Sequence, residues 1–301
     1  MLSIADAAFL GCTGLTSVTI PASVNYIGGA VFQACENLTQ LSVDPANTTF
    51  DSRDSCNAVI ESASATLVAG CIATVIPGTV TALGRGSFCE CIGLNTIAIP
   101  PSVVAIGDHA FDYCYNLDTI SLPRGLVSIG NSAFAGCEKL VYMDIPDQVT
   151  AIGDSAFYDC PWLNYLCLGR ELRHIGRAAF YGTNLITLSC KAMDPPVIAD
   201  EDSFWHYGSF SDATLKVPAQ ALARYRNAEY WSLFPAIVGN GDVDGDGRIS
   251  ISDVTTLIDY LLNDDENASL TLAADVDNDY KISISDITFL IDLLLGTNPA
   301  R

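Results

Sequence analysis

Twelve residues near the C-terminus, Asp242-Val-Asp244-Gly-Asp246-Gly-Arg248-Ile-Ser250-Ile-Ser-Asp253, set a carboxylate at three alternate positions and another at the end. Where such a chain turns tightly its oxygens converge on one point, and an all-oxygen set of six to eight ligands suits a hard cation, calcium. The ligands on that reading are Asp242, Asp244, Asp246, the main-chain carbonyl of Arg248, Ser250 acting through water, and Asp253, with Gly247 at the sharp bend. The arrangement returns 33 residues later as Asp275, Asp277, Asp279, Lys281, Ser283 and Asp286. Tyr280 stands there where the first loop has Gly247, which strains the bend. Two calcium sites are therefore expected, the second the weaker.

Each loop leads into a helix with an apolar stripe, through Val254, Leu257, Ile258, Leu261 and Leu262 in the first case and Ile287, Leu290, Ile291, Leu294 and Leu295 in the second. Neither loop is preceded by a helical pattern. Loop then helix, written twice across 242–296, resembles a type I dockerin, and both loops end in Asp where an EF-hand has a bidentate Glu. That resemblance implies a protein partner, a cohesin-like domain, chosen partly by the tenth and eleventh loop positions. These are Ile251-Ser252 and Ile284-Ser285, the same pair in both halves, as in dockerins that bind in two orientations. The plainer alternative is a small domain that calcium merely staples.

Upstream, a 23-residue phrase repeats. One copy reads Leu94, Ile97, Ile99, Pro100, Val103, Ile106, Gly107, Phe111, Cys114, the next starts at Leu117 and ends at Cys137, and a third runs from Leu140 to Cys160. Apolar residues two apart mark short strands with one inward face, proline closes each strand, and a coil this small buries its apolar side only by stacking on neighbours. Phenylalanine at one place in every coil predicts a stacked aromatic spine. The phrase resembles the BspA-like (Treponema-type) leucine-rich repeat. The expected fold is an α/β-type or mainly-β leucine-rich-repeat solenoid with a parallel sheet, followed by a small all-α dockerin-like domain. Residues 1–190 are assigned to the solenoid, 191–239 to its cap and 240–301 to the calcium module. Phe88 follows Phe32 by 56 residues instead of 23, so an insertion is placed at about 44–76 and read as a hairpin-like continuation of the solenoid. In the cap, Phe204, Trp205, Tyr207 and Phe210 form an aromatic group, followed by a strand at 213–218 and a helix at 219–227.

The chain has 301 residues, half of them apolar, and 35 acids against 14 Lys and Arg, for a net charge of −21. That balance argues against nucleic acid or an anionic membrane as partner. Residues 240–301 alone hold 13 acids and 3 Lys or Arg, a local excess that cation binding explains. No apolar run is long enough to span a bilayer, and no signal-type segment stands at the start, which falls inside a repeat and reads as a trimmed or mature beginning. Cys12, Cys35, Cys91, Cys114, Cys137 and Cys160 each follow the repeat phenylalanine by three residues, so they are read as one interior ladder of thiols rather than as disulfides.

His109, His174 and His206 stand apart from one another and are read as solvated turn residues, and no catalytic motif or glycosidase carboxylate pair emerges. The outward sheet face remains as a binding surface. It is lined by small hydroxyl residues, ending in Thr187 and Ser189, with Tyr142 beside Tyr165 as its aromatic spot. The expectation is a monomeric, non-enzymatic adhesion protein on the surface of, or secreted by, a bacterium, binding a host protein or a glycan. The alternative is a structural subunit of a polysaccharide-degrading assembly docked through cohesin.

Overall fold

The computed structural model describes residues 2–206, 209–246, 248–263, 273–277, 279 and 281–296. They fall into two compact units, Met1–Leu185 with Pro196–Ser211, and Ile186–Pro195 with Asp212–Arg301.

In the first unit each coil contributes a short strand whose alternate side chains point inward. Thr96–Ala98 buries only its central Ile97, and Tyr142–Asp144 only its central Met143. Equivalent strands pair in parallel one coil apart, Val18 opposite Leu41, Ile97 opposite Ile120 and Met143 opposite Leu166. The Ile-Gly segments and their equivalents join the strands of the insertion in a second sheet, of nine strands, in which Ile106, Ile129, Ile152, Ile175 and Ile198 lie in register. Glycine follows the first four of these isoleucines, and Ala199 the last, because the coils touch there: a Cβ on Gly153 would lie 2.5 Å from the Asn131 nitrogen. The turn amides beyond the glycine are satisfied by the previous coil. Asp108 Oδ1 accepts from Asn131 N at 2.7 Å, Asn131 Oδ1 from Asp154 N at 2.8 Å, and Asp154 Oδ1 from Arg177 N at 2.8 Å.

The phenylalanine spine forms as expected. Phe88, Phe111, Phe134, Phe157, Phe180 and Phe204 stack with centroids 5.1 to 5.2 Å apart, and Phe9 lies on Phe32 at 5.5 Å. Phe204 extends the spine one coil past Phe180, and Val197–Ile198 pairs with His174–Ile175, so coil geometry continues through 196–211, within the stretch assigned to the cap. Tyr207 lies outside the described residues. In the insertion, Val59–Glu61 pairs antiparallel with Phe50–Asp51 and with Thr66–Ala69, which then joins Ala82–Leu83 in parallel. Phe88 occupies the space a side chain at Gly70 would need.

All eleven cysteines are free. The buried ones are more than small apolar fillers: Sγ of Cys35, Cys114, Cys137 and Cys160 donates at 3.1 to 3.3 Å to the main-chain oxygen of the phenylalanine one coil back. Burial pushes the Cys91 and Cys160 thiols up to about 12, which keeps them protonated at neutral pH. Cys12 departs from the expected ladder, being exposed in the first coil.

In the second unit, Thr187–Cys190, Thr214–Pro218 and Ala236–Asn240 pair in parallel. Their inner face is closed by the helix Leu222–Asn227 and by Trp231, which meets the buried Tyr225 ring edge-on at 5.2 Å, while Tyr225 Oη donates to Ala192 O at 2.9 Å. Ala236–Asn240 leads directly into the first acidic loop. Helices Ile251–Asn263 and Ile284–Leu295 close on a small core of Val243, Val254, Leu257, Val276 and Leu290.

Candidate metal centre and binding surfaces

The two acidic loops are built alike, bond for bond. At the end of the first, fully buried Asp253 accepts from Val243 N at 2.7 Å, Asp244 N at 3.1 Å and Ser250 N at 2.7 Å. Asp286 accepts from Val276 N, Asp277 N and Ser283 N at 2.7, 3.2 and 2.8 Å. Asp244 and Asp277 accept from the amides of Asp246 and Asp279, each at 3.1 Å, and these accept in turn from Arg248 N at 2.8 Å and Lys281 N at 2.9 Å. Ser250 and Ser283 bond to Ser252 and Ser285, and Ser283 caps its helix in a reciprocal box with Asp286.

Carboxylate oxygens of Asp242, Asp244 and Asp246 lie within 4.8 Å of one another, as do those of Asp275, Asp277 and Asp286. Asp253 and Asp279 stand outside these clusters, and Gly247 and Tyr280, the two bend positions, lie outside the described residues. Burial pushes the carboxyl groups of Asp275 and Asp286 up, against hydrogen bonds and, for Asp275, the Lys216 ammonium, which pull them down. Hydrogen bonds from Ser252 and from the Asp246 amide hold exposed Asp244 below the usual range. Oδ1 of Asp275 is buried and accepts no hydrogen bond. Crowded carboxylates with a buried, unengaged oxygen and an all-oxygen donor set fit calcium.

Lys216 is a site residue that the sequence reading passed over. Lying between Leu215 and Val217, it is 1% exposed and donates to the Asp275 main-chain oxygen at 2.7 Å. Its only sequence signal is a charge inside an apolar strand.

On the helices, the expected apolar stripes divide. Val254, Leu257 and Leu290 are buried, whereas Ile258, Leu262, Ile291, Leu294 and Leu295 are exposed. Ile251 and Ile284, the tenth loop residues, are 75% and 76% exposed, with Ser252 and Ser285 beside them.

On the solenoid, Tyr142 and Tyr165 are directly opposite in register, Tyr142 exposed and Tyr165 half-buried. Thr187 and Ser189, expected on the same open face, are buried, as is Cys167 two residues after Tyr165. Ser189 pairs with Lys216, whose side chain is itself covered, so in the second unit this face is closed. A second aromatic row escaped notice: Tyr158 and Tyr181 stack at 5.1 Å, each directly after a repeat phenylalanine, with Trp162 exposed nearby in sequence. His109 has a partner after all, Asp112 Oδ2 at 2.7 Å from Nδ1, an i, i+3 spacing visible in the sequence. His174 is exposed on its strand, and the side chain of His206 lies outside the described residues.

Six copies of the family model described as BspA type leucine-rich repeat region match residues 1–61 and 70–190, and the dockerin type I domain matches residues 240–295. Among solved structures the chain is similar to the pneumococcal vaccine antigen PcpA, with 21% identity and a TM-score of 0.63 over 79% of this chain and 59% of that one. That likeness is one of fold. It is also similar to a leucine-rich cell surface protein of Faecalibacterium prausnitzii A2-165, with 30% identity and a TM-score of 0.50 over 57% of this chain and 46% of that one. The chain thus spans only about half the length of these structures. No curated protein matches it. No helix among the described residues is long and apolar enough to cross a membrane.

Proposed function

We propose a function for this chain, which belongs to the BspA-type leucine-rich-repeat family and carries a type I dockerin domain: it is a non-enzymatic bacterial protein, secreted or held at the cell surface, that binds through its solenoid and attaches through its acidic module. In this reading calcium occupies both loops, held by Asp242, Asp244 and Asp246 in one and by Asp275, Asp277 and Asp286 in the other. The Arg248 and Lys281 carbonyls, Ser250, Ser283, Asp253 and Asp279 complete the oxygen sets. When bound, the ion cancels the mutual repulsion of the aspartates. The amides pinned by Asp253 and Asp286 fix the start of each helix, and so the placing of the residues that a partner meets.

One observation carries the attachment role. Ile251 and Ile284 are both about three-quarters exposed at equivalent places, each opening a helix, beside a serine. Two equal apolar anchors with polar neighbours suit a cohesin-like domain approached in either of two orientations. For the solenoid, Tyr142 and Tyr165 offer a pair of amphipathic rings on the outward face, suited to a host protein or a glycan.

The test uses the intact chain. Capture by an immobilised panel of cohesin domains in calcium, with release by EGTA, supports attachment; capture by none overturns it. Binding to a glycan and extracellular-matrix array in EGTA, lost on Tyr142→Ala with Tyr165→Ala, supports the solenoid role. A silent array with intact cohesin capture would favour the other reading, a passive subunit of a polysaccharide-degrading assembly.

A further inference from the structure

We propose that Lys216 is a resident cation for the second acidic loop: its ammonium holds Asp275 in place when calcium is absent, and it weakens calcium binding there. The inference rests on the calcium reading above but draws on separate contacts. Lys216 sits in the strand Thr214–Pro218 with its side chain almost wholly buried, a placement that is costly unless the charge meets an opposite one. Its Nζ donates to Asp275 O at 2.7 Å and stands 3.3 Å from Asp275 Oδ2. One oxygen of this first ligand therefore faces an ammonium, while the other, Oδ1, is buried with no hydrogen bond and is left to a metal.

The same loop is tied to the cap sheet at two more points. Asn240 Nδ2 donates to Val276 O at 3.0 Å, and Gly241 N to Ala273 O at 3.1 Å. The sheet and the loop are thus one structure, with Lys216 as its ionic member. In the absence of metal, the ammonium offsets the crowding of Asp275, Asp277 and Asp286. In its presence, a fixed positive charge a few ångströms away opposes the incoming ion, more strongly than in bulk water because the surroundings are poor in solvent. The two effects share one origin and predict opposite signs for stability and affinity.

The test compares the full-length chain with Lys216→Met, which keeps the stem and removes the charge, and Lys216→Arg, which keeps the charge. Calcium alone is titrated calorimetrically, and hydrogen exchange is followed over 214–218 and 236–240 in EGTA and in calcium. For Lys216→Met the expected result is one site tightened about tenfold or more with the other unchanged, together with lost protection of both segments in EGTA that calcium restores. Lys216→Arg should behave as the parent chain. Unchanged affinities, or protection lost equally with and without calcium, would make Lys216 a merely structural buried charge and overturn the proposal, as would a Lys216→Met chain that stays unfolded in calcium. No calcium heat from the parent chain would instead overturn the calcium reading, and this inference with it.

Discussion

The coils of the first unit and the loops of the second are both repeats, but they repeat different things. In the coils, identity recurs on the inside: Phe111, Phe134 and Phe157 are fully buried and stacked, while the outward residues of the same coils vary. Packing explains that pattern completely. In the acidic module identity also recurs on the outside. Ile251 matches Ile284, Ile258 matches Ile291 and Leu262 matches Leu295, and all six are exposed. Stability supplies no reason for paired apolar residues in water, so the comparison separates a repeat that builds a body from one that presents a surface.

The contrast can be broken by experiment. The largest effect expected is that of Phe134→Ala, which removes a ring from the middle of the spine and should cost about 3 to 5 kcal/mol in urea denaturation, equally with EGTA or calcium. A calcium-dependent cost would mean that the two repeats are not energetically separate. Next, Asp253→Ala and Asp286→Ala each strip three main-chain amides of their acceptor, for a cost of about 2 to 3 kcal/mol, and each should abolish one calorimetric calcium event. Survival of both events in either variant would reject the ligand assignment. Asp154→Ala removes a single bond between coils, at Arg177 N, and should cost about 1 kcal/mol with no calcium dependence, read from the same denaturation curves. Smallest in stability, within about 0.5 kcal/mol, is the double change Ile251→Asp with Ile284→Asp, since both side chains already face solvent. Cohesin capture should nevertheless disappear; if it persists, the exposed pairs do not form the attachment surface.

Much of this architecture was legible because its determinants are local or periodic. Phenylalanine every 23 residues announces a spine, and aspartate at every second position announces a cation loop. What stayed hidden depends on contacts that no window of sequence contains. Lys216 meets Asp275 across 59 residues, and the burial of Ser189 follows from that packing. The turns hid for another reason. Each regular coil has two left-handed positions, but they are filled by His109 and Tyr113 in one coil and by Ser155 and Asp159 in another, so glycine spacing does not reveal them. The thiol bonds were missed because cysteine was read by size rather than by its hydrogen.

Because the thiols of Cys35, Cys114, Cys137 and Cys160 bond to a carbonyl of the preceding coil, none of these four waits for a distant covalent mate. In a disulfide-stapled protein, deleting a segment strands the other half of a pair, and duplicating one leaves a surplus. Here a gene can gain or lose 23 codons and each of these ladder thiols that remains still finds its acceptor one turn away. Solenoid length is therefore an easily edited quantity in evolution, and the same chemistry lets a lengthened descendant fold without help from an oxidising catalyst.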